Sequence, residues 1–126
     1  TIIWAAKNQK SKHCFNYAEM RKINEGKQMK SVWKMTAPKN SEKEFGRHPT
    51  QKPVELLERI ILASTQRGDF ILDPFSGSAT TGVAAMRHGR HFVGCELEQN
   101  FLDLSVQRIE KELSLKENDL IAKVLS

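Results

Sequence analysis

The sequence predicts an α/β fold built on a parallel sheet. From Pro53 onward, segments with helical periodicity alternate with short apolar segments that end in an acidic residue. The resulting order of helix, strand, helix, strand and helix is the alternation of a parallel α/β sheet. A chain of 126 residues can bury one modest core, so we expect one domain or part of one.

The first helix of this series is predicted from Val54 to Gln66. It follows Pro53, a residue that suits the first helical turn. Its apolar residues repeat on one face of a helix: Leu56, Leu57, Ile60 and Ile61. Gly68 ends the helix, and "FILD" is a short buried strand that finishes at Asp73.

The same order then repeats once more along the chain. A helix is predicted from Ala79 to His88, and "HFVGCE" supplies a second strand that ends in Glu96. The last helix carries apolar residues at spacings of four, three and four: Leu102, Val106, Ile109 and Leu113. The tail places four more on one helical face, which we expect to dock on the sheet or on a partner: Leu120, Ile121, Val124 and Leu125.

Two further segments precede this α/β part. Residues 1–17 predict a β-hairpin, because apolar "TIIWAA" and aromatic "HCFNY" flank the polar turn "KNQKSK". Residues 18–47 are dense in lysine and arginine and show no strong period, which favours a loop with a short helix. Within them, Trp33 is predicted to anchor the segment by packing. Residues 48–126 form the third segment, which contains the predicted sheet.

Composition limits the class of protein. The chain carries a net charge of +5, with a pI near 9.4, which favours a polyanionic partner. Cys14 and Cys95 form no Cys-x-x-Cys pair, which argues against a zinc site or a disulfide framework and favours the reducing cytoplasm. No apolar segment approaches the ~20 residues of a membrane span and no leader opens the chain, so we expect a soluble protein without a membrane partner.

Two acidic residues mark a candidate ligand site. Ligands of open α/β sheets bind beyond the carboxyl ends of the strands, where Asp73 and Glu96 both fall. Gly77 lets the backbone pass close to a ligand, and small residues follow it at the start of the next helix. An acidic residue about 20 residues beyond a glycine loop is the usual partner of ribose hydroxyls, which is the position of Glu96.

The chemistry of this loop distinguishes two cofactors. Gly77-x-Ala79-x-x-Gly82 approaches the dinucleotide fingerprint, so an NAD-dependent oxidoreductase is one alternative. The Asp73 carboxylate would repel a pyrophosphate, but it suits the ammonium and sulfonium groups of S-adenosylmethionine. The loop therefore favours a methyl donor over NAD. A tight connection that binds no ligand remains a further alternative.

Three motifs in order give the chain a family resemblance. "HPTQKP" before a helix, then "LDPFSGSATTGVAA" and "FVGCELEQNF", resemble the β-class DNA amino-methyltransferases, which modify adenine N6 or cytosine N4. "TIIWAA", "FNY" and "GKQMKSVW" are similar to members that methylate adenine. The resemblance implies a Rossmann-like S-adenosylmethionine-dependent fold, incomplete in this chain, and an adenine-specific enzyme of a prokaryotic restriction-modification system.

The resemblance also implies roles for individual residues. Asp73, Phe75 and Gly77 would surround the methionine end of the cofactor, and Glu96 would bind its ribose. The entering loop, with His48, Thr50 and Lys52, would contact the cofactor carboxylate, although a plain rigid turn is the alternative for His48. Ala79 replaces the usual second glycine of the loop and bears on cofactor affinity.

The basic segment occupies the place of the family's target-recognition region. Five of its residues are candidates for contact with double-stranded DNA, Gln28 with a base edge and the rest with phosphates: Arg21, Lys27, Gln28, Lys30 and Lys34. A solvated loop with ordinary surface lysines is the alternative.

One motif of the family is absent from the sequence. The catalytic Asp, Asn or Ser followed by Pro-Pro and an aromatic residue, which holds the flipped base, does not occur. We therefore expect no catalytic residues here and a partner that supplies the N-terminal catalytic half, in the same or a separate polypeptide. A homodimer is a further candidate partner. A non-catalytic fragment that only binds DNA or cofactor is the alternative function.

Overall fold

The computed structural model describes residues 1–125, apart from the side chains at positions 120, 121, 124 and 125. The elements are α1 (Tyr17–Ile23), a 3-10 turn (Asn40–Lys43), α2 (Val54–Ser64), β1 (Phe70–Asp73), α3 (Thr80–Arg87), β2 (His91–Gly94) and α4 (Gln99–Leu125). β1 and β2 pair in parallel. The predicted alternation is therefore confirmed, with small differences at the ends of the elements. The predicted face of Leu120, Ile121, Val124 and Leu125 lies outside the described side chains.

The core lies between α2, α3 and one face of the sheet. Its buried residues come from α2 and α3: Val54, Ile61, Val83, Ala84 and Ala85. Partly buried side chains of α2, the two strands and α4 pack against them: Leu57, Ile71, Phe92 and Ile109. Gly82 makes the close approach of α3 possible. A Cβ there would lie 2.7 Å from the Phe92 ring and 2.8 Å from Ile109 Cδ1. This position of the sequence therefore serves packing between helix and sheet.

The opposite face of the sheet is open. Phe70, Leu72 and Val93 are 77%, 67% and 51% exposed. They alternate with Ile71 and Phe92, which point into the core. Parallel sheets are normally covered on both faces, and their buried faces are apolar. This face is apolar as well, but its side chains are exposed.

The predicted β-hairpin is not formed. Residues 1–16, all of them described, contain no strand, although the chain does reverse at Asn8–Ser11. Trp4 meets His13 and Phe15 across this turn, with ring centroids 5.4 and 5.6 Å apart. An isolated two-stranded hairpin is marginal, and residues 1–16 pair with neither β1 nor β2 of the described sheet. The turn chemistry was thus predicted correctly and the strand ladder was not.

α4 also differs from the sequence expectation in the side that it buries. The residues of the predicted apolar face are half-buried at Ile109 and exposed at three positions: Leu102, Val106 and Leu113. The buried side is largely polar instead: Leu104, Ser105, Arg108 and Glu112. The cause is the surface that α4 meets, which presents polar groups of α3 and the preceding loop. Among the described residues, no helix has the length and apolar composition required to cross a membrane.

Two polar side chains from the first part of the chain cap α2. Glu42 accepts the N–H of Val54 at 2.9 Å. Asn16 donates its side-chain amide to the carbonyl oxygens of Leu62 and Thr65 at 2.7 and 2.8 Å. These bonds satisfy backbone groups that a helix leaves unpaired at its ends, and they fix the segment before Pro53 against the α/β part.

Candidate functional site

The tips of the two strands are joined by hydrogen bonds beyond the sheet. The N–H of Cys95 donates to the Asp73 carbonyl at 3.0 Å. Ser76 returns two bonds to the Cys95 carbonyl, from its N–H at 2.9 Å and its hydroxyl at 3.0 Å. The loop after β1 therefore lies directly against the turn after β2. This brings the two predicted acidic residues to one edge of the sheet, as parallel pairing requires.

Glu96 is the residue that connects the two tips. One carboxylate oxygen accepts the N–H of Gly77 at 2.9 Å, and the other accepts the N–H groups of Leu97 and Glu98 at 2.8 and 2.9 Å. These bonds, that from Glu98 foremost, hold the pKa of Glu96 below its usual range, against the opposing effect of desolvation. The half-buried side chain is therefore ionised at neutral pH. With three bonds made, a carboxylate retains about one further acceptor position.

Asp73 shapes the glycine loop from its other side. One oxygen of its carboxylate accepts the N–H of Phe75 at 3.1 Å, and the other accepts the hydroxyl of Thr81 at 2.6 Å. The Phe75 ring is 88% exposed at this edge. Two carboxylates beside an exposed aromatic ring favour a ligand that combines positive charge with flat or apolar surface.

His48 brings the entering loop onto the glycine loop. A Cβ at Gly77 would lie 3.0 Å from His48 Nε2, and the His48 ring packs on Phe101 with centroids 4.2 Å apart. Thr50 bonds to His48 Nδ1 through its N–H at 3.3 Å, and Lys52 donates its ammonium to the Thr50 carbonyl at 2.7 Å. The structure thus joins His48 to the strand-tip residues, whereas the Lys52 ammonium bonds within its own loop.

Ala79 adopts a left-handed backbone conformation, with φ 51° and ψ 37°. The residue is buried and precedes the first residue of α3. Residues with a Cβ visit this region at a cost that glycine avoids. This backbone conformation is the physical reason why glycine suits position 79. In this chain, alanine adopts the left-handed conformation at that position.

Residues 1–107 match the model of the N6_N4_Mtase family, which is described as DNA methylase. The chain belongs to this DNA methylase family. The type II methyltransferase M2.DpnII of Streptococcus pneumoniae is 56% identical over 113 residues, 89% of this chain and 42% of the relative. M2.MboI of Moraxella bovis is 49% identical over 123 residues, 98% of this chain and 45% of the relative. The chain thus spans less than half of the curated relatives it matches.

A solved structure supports the fold of the chain. The crystal structure of the M1.HpyAVI–SAM complex superposes with a TM-score of 0.62 at 34% identity. The superposition covers 79% of this chain and 45% of that one. The parallel strands and their helices therefore follow the arrangement of a DNA methyltransferase, of which this chain carries a part. The expected Rossmann-like fold, incomplete in this chain, is confirmed.

The basic segment, residues 18–47, faces solvent at the positions predicted to contact DNA. All five candidate DNA-contact residues are exposed: Arg21, Lys27, Gln28, Lys30 and Lys34. Trp33 fixes the middle of the segment, because its ring lies 5.1 Å from the Arg59 guanidinium and its Nε1–H donates to the Lys30 carbonyl at 2.9 Å. This contact fits the packing role predicted for Trp33. None of the described ion pairs includes the four basic residues of this set, so their positive charges face solvent.

The sequence reasoning missed two residues that support the glycine loop. Thr81 bonds to Asp73 as described above, and Arg108 of α4 reaches Ser78 and Thr80. An arginine on a helix rich in charged residues is ordinarily solvated, so its sequence context gave no sign of burial. Arg108 lies on the same side of α4 as Leu104 and Ser105. That position would indicate burial only if the sequence had shown which side of α4 is buried.

Proposed function

We propose that this chain is the cofactor-binding and target-recognition part of an S-adenosylmethionine-dependent DNA methyltransferase. The observation that carries this proposal is the strand-tip edge, where Glu96 accepts the N–H of Gly77 and Asp73 accepts the N–H of Phe75 in the same loop. The type II methyltransferases among its relatives favour a role in restriction-modification. The resemblance of the first segments to adenine methylases favours adenine N6 as the acceptor, and the bacterial relatives favour the bacterial cytoplasm.

The residues at the edge fit S-adenosylmethionine. Glu96, ionised and with acceptor capacity remaining, would bind the ribose hydroxyls. The Asp73 carboxylate would face the cationic end of the cofactor, and Gly77, which lacks a side chain, would allow its close approach. His48, Thr50, Lys52 and Ala79 would complete the surrounding loops. When bound, the cofactor supplies a methyl group on a positively charged sulfur, and this chain orients it.

The acceptor base requires residues that this sequence lacks. We propose that an N-terminal catalytic half, in the same or a separate polypeptide, holds the flipped adenine in line with the methyl group. The open face of the sheet, with Phe70, Leu72 and Val93, supports this proposal because a covering layer would bury it. A homodimer that covers the same face is the alternative, and the mass of the assembled protein distinguishes the two.

Replacement of Glu96 tests the cofactor site. In the completed enzyme, we expect Glu96→Gln to weaken S-adenosylmethionine binding by about tenfold or more, because charge-assisted hydrogen bonds to the ribose are lost. Titration calorimetry measures this affinity. Glu98→Gln is the matched control, since Glu98 contributes its backbone N–H to the site and its side chain is exposed. Equal affinity of Glu96→Gln and wild type would remove Glu96 from the site, and no binding by wild type would refute the proposed function.

The exposed lysines of the basic segment provide a test of DNA contact. We expect the Lys27→Ala, Lys30→Ala and Lys34→Ala triple variant to show a weaker salt dependence of DNA binding. The negative slope of the log association constant against log salt concentration should become smaller in magnitude by about 2–3, because each phosphate contact contributes about 0.9. Duplex-DNA binding between low and physiological salt measures the slope. A second triple variant makes the same charge change outside the segment: Lys7→Ala, Lys10→Ala and Lys12→Ala. Equal slopes for both triple variants would show that only net charge matters.

A further inference from the structure

Arg108 is a buried cation directed at the glycine loop. Its side chain lies on α4 and the residue is 6% exposed. One guanidinium nitrogen donates to three oxygens at the start of α3: the carbonyl of Ser78 at 2.5 Å, the hydroxyl of Ser78 at 2.9 Å and the hydroxyl of Thr80 at 3.1 Å. Ser78 and Thr80 are themselves buried. The contact therefore joins α4 to the loop across 30 residues of sequence.

The loop at this point requires support. Gly77 and Ala79 both have positive φ, near 51°, and only one of them is a glycine. The peptide between Ser78 and Ala79 must keep its orientation for Ala79 to remain left-handed, and α3 provides no side-chain cap there. Arg108 bonds to the carbonyl of that peptide. Among the described side chains, that of Arg108 bonds to the backbone carbonyl directly before the left-handed Ala79.

The electrostatic setting favours a bond of this kind. Desolvation lowers the pKa of Arg108 from its ordinary value, yet a guanidinium stays charged in proteins, so its positive charge lies beneath the loop. A buried charge is tolerated when it is hydrogen-bonded, and the three oxygens of the loop meet that requirement. If the loop changed its conformation, the buried guanidinium would lose these hydrogen-bond partners.

We propose that Arg108 is a positioning residue for cofactor binding, which holds the Ser78–Ala79 peptide so that the Gly77 N–H faces Glu96. Arg108 itself contacts no cofactor. Its bond sets the orientation of the loop, and the loop sets the bond between Gly77 and Glu96 at 2.9 Å. The inference rests on the proposed function, because the loop is taken to bind S-adenosylmethionine.

The test uses the completed methyltransferase, with Arg108→Met and the milder Arg108→Lys. We expect Arg108→Met to raise both the Kd and the KM for S-adenosylmethionine about tenfold, the equivalent of about one charge-assisted hydrogen bond, while kcat at saturating cofactor changes little. The control is Arg90→Met. Arg90 is also a buried arginine, but it bonds to Thr65 and the His88 carbonyl, away from the loop.

A double-variant cycle with Ala79→Gly identifies the mechanism. Glycine adopts the left-handed conformation freely, so Ala79→Gly should raise the cofactor affinity of Arg108→Met by a larger factor than it changes that of wild type. Unchanged Kd in both Arg108 variants would overturn the inference, as would an equal loss in Arg90→Met or an equal effect of Ala79→Gly in both backgrounds. Failure of wild type to bind S-adenosylmethionine would instead refute the proposed function and this inference with it.

Discussion

The 126-residue chain alone is expected to transfer no methyl group to duplex DNA. The proposed strand-tip site would hold the methyl donor, but the sequence lacks the Pro-Pro motif that the family resemblance assigns to holding the acceptor base. Since alignment of both reactants supplies much of the barrier lowering, a site with one of them should show no useful rate. A radiolabelled methyl-transfer assay measures this, first with the chain alone and then with the N-terminal part of a curated relative added.

The added part should restore transfer by covering the open face of the sheet. Leu72→Asp should abolish this restoration, because the covering layer would bury an unpaired carboxylate. Leu115→Asp introduces the same charge at an exposed leucine of α4 and serves as the matched control. Robust turnover by the chain alone would contradict the proposal, since the acceptor-binding residues would then lie within the chain. Equal restoration with both aspartate variants would show that the open face is not the contact.

Gly77→Ala is expected to reduce S-adenosylmethionine affinity about a hundredfold and stability by about 1–3 kcal/mol. The new Cβ would lie 3.0 Å from His48 Nε2 and 3.3 Å from Cε1, at a residue with φ 51°. His48 has little room to move because its ring packs on Phe101. The loop must therefore shift, and the bond from the Gly77 N–H to Glu96 shifts with it. Calorimetry and denaturant unfolding of the completed enzyme measure the two effects.

Gly68→Ala separates the steric effect from the cost of the backbone conformation. Gly68 also has a positive φ, 85°, but a Cβ there meets no atom within 4 Å. This variant should lose about 1 kcal/mol of stability and keep the affinity of wild type for the cofactor. The additional substitution His48→Ala should return part of the lost stability to Gly77→Ala, because it removes the atoms that the new Cβ meets. Wild-type affinity in Gly77→Ala would exclude the loop from the cofactor site.

The sequence by itself determined the elements from Pro53 onward and the edge of the sheet that carries the candidate site. Helix α2 after Pro53 and strand β1 before Asp73 depend on periodicity and turn residues, which act between neighbours in the chain. Parallel pairing then follows from the alternation of elements, and it places Asp73 and Glu96 at one edge without further information.

Only the tertiary structure decided which groups satisfy these residues and which faces are buried. The segment before α1 lacks its ladder because a strand is stable only beside a partner, which no local pattern supplies. α4 buries Ser105, Arg108 and Glu112 because its neighbours present polar groups from distant positions. Glu96 likewise binds the Gly77 N–H across 19 residues. Such contacts depend on where the folded chain brings its segments together, and hydrophobic periodicity within one segment carries no information about that.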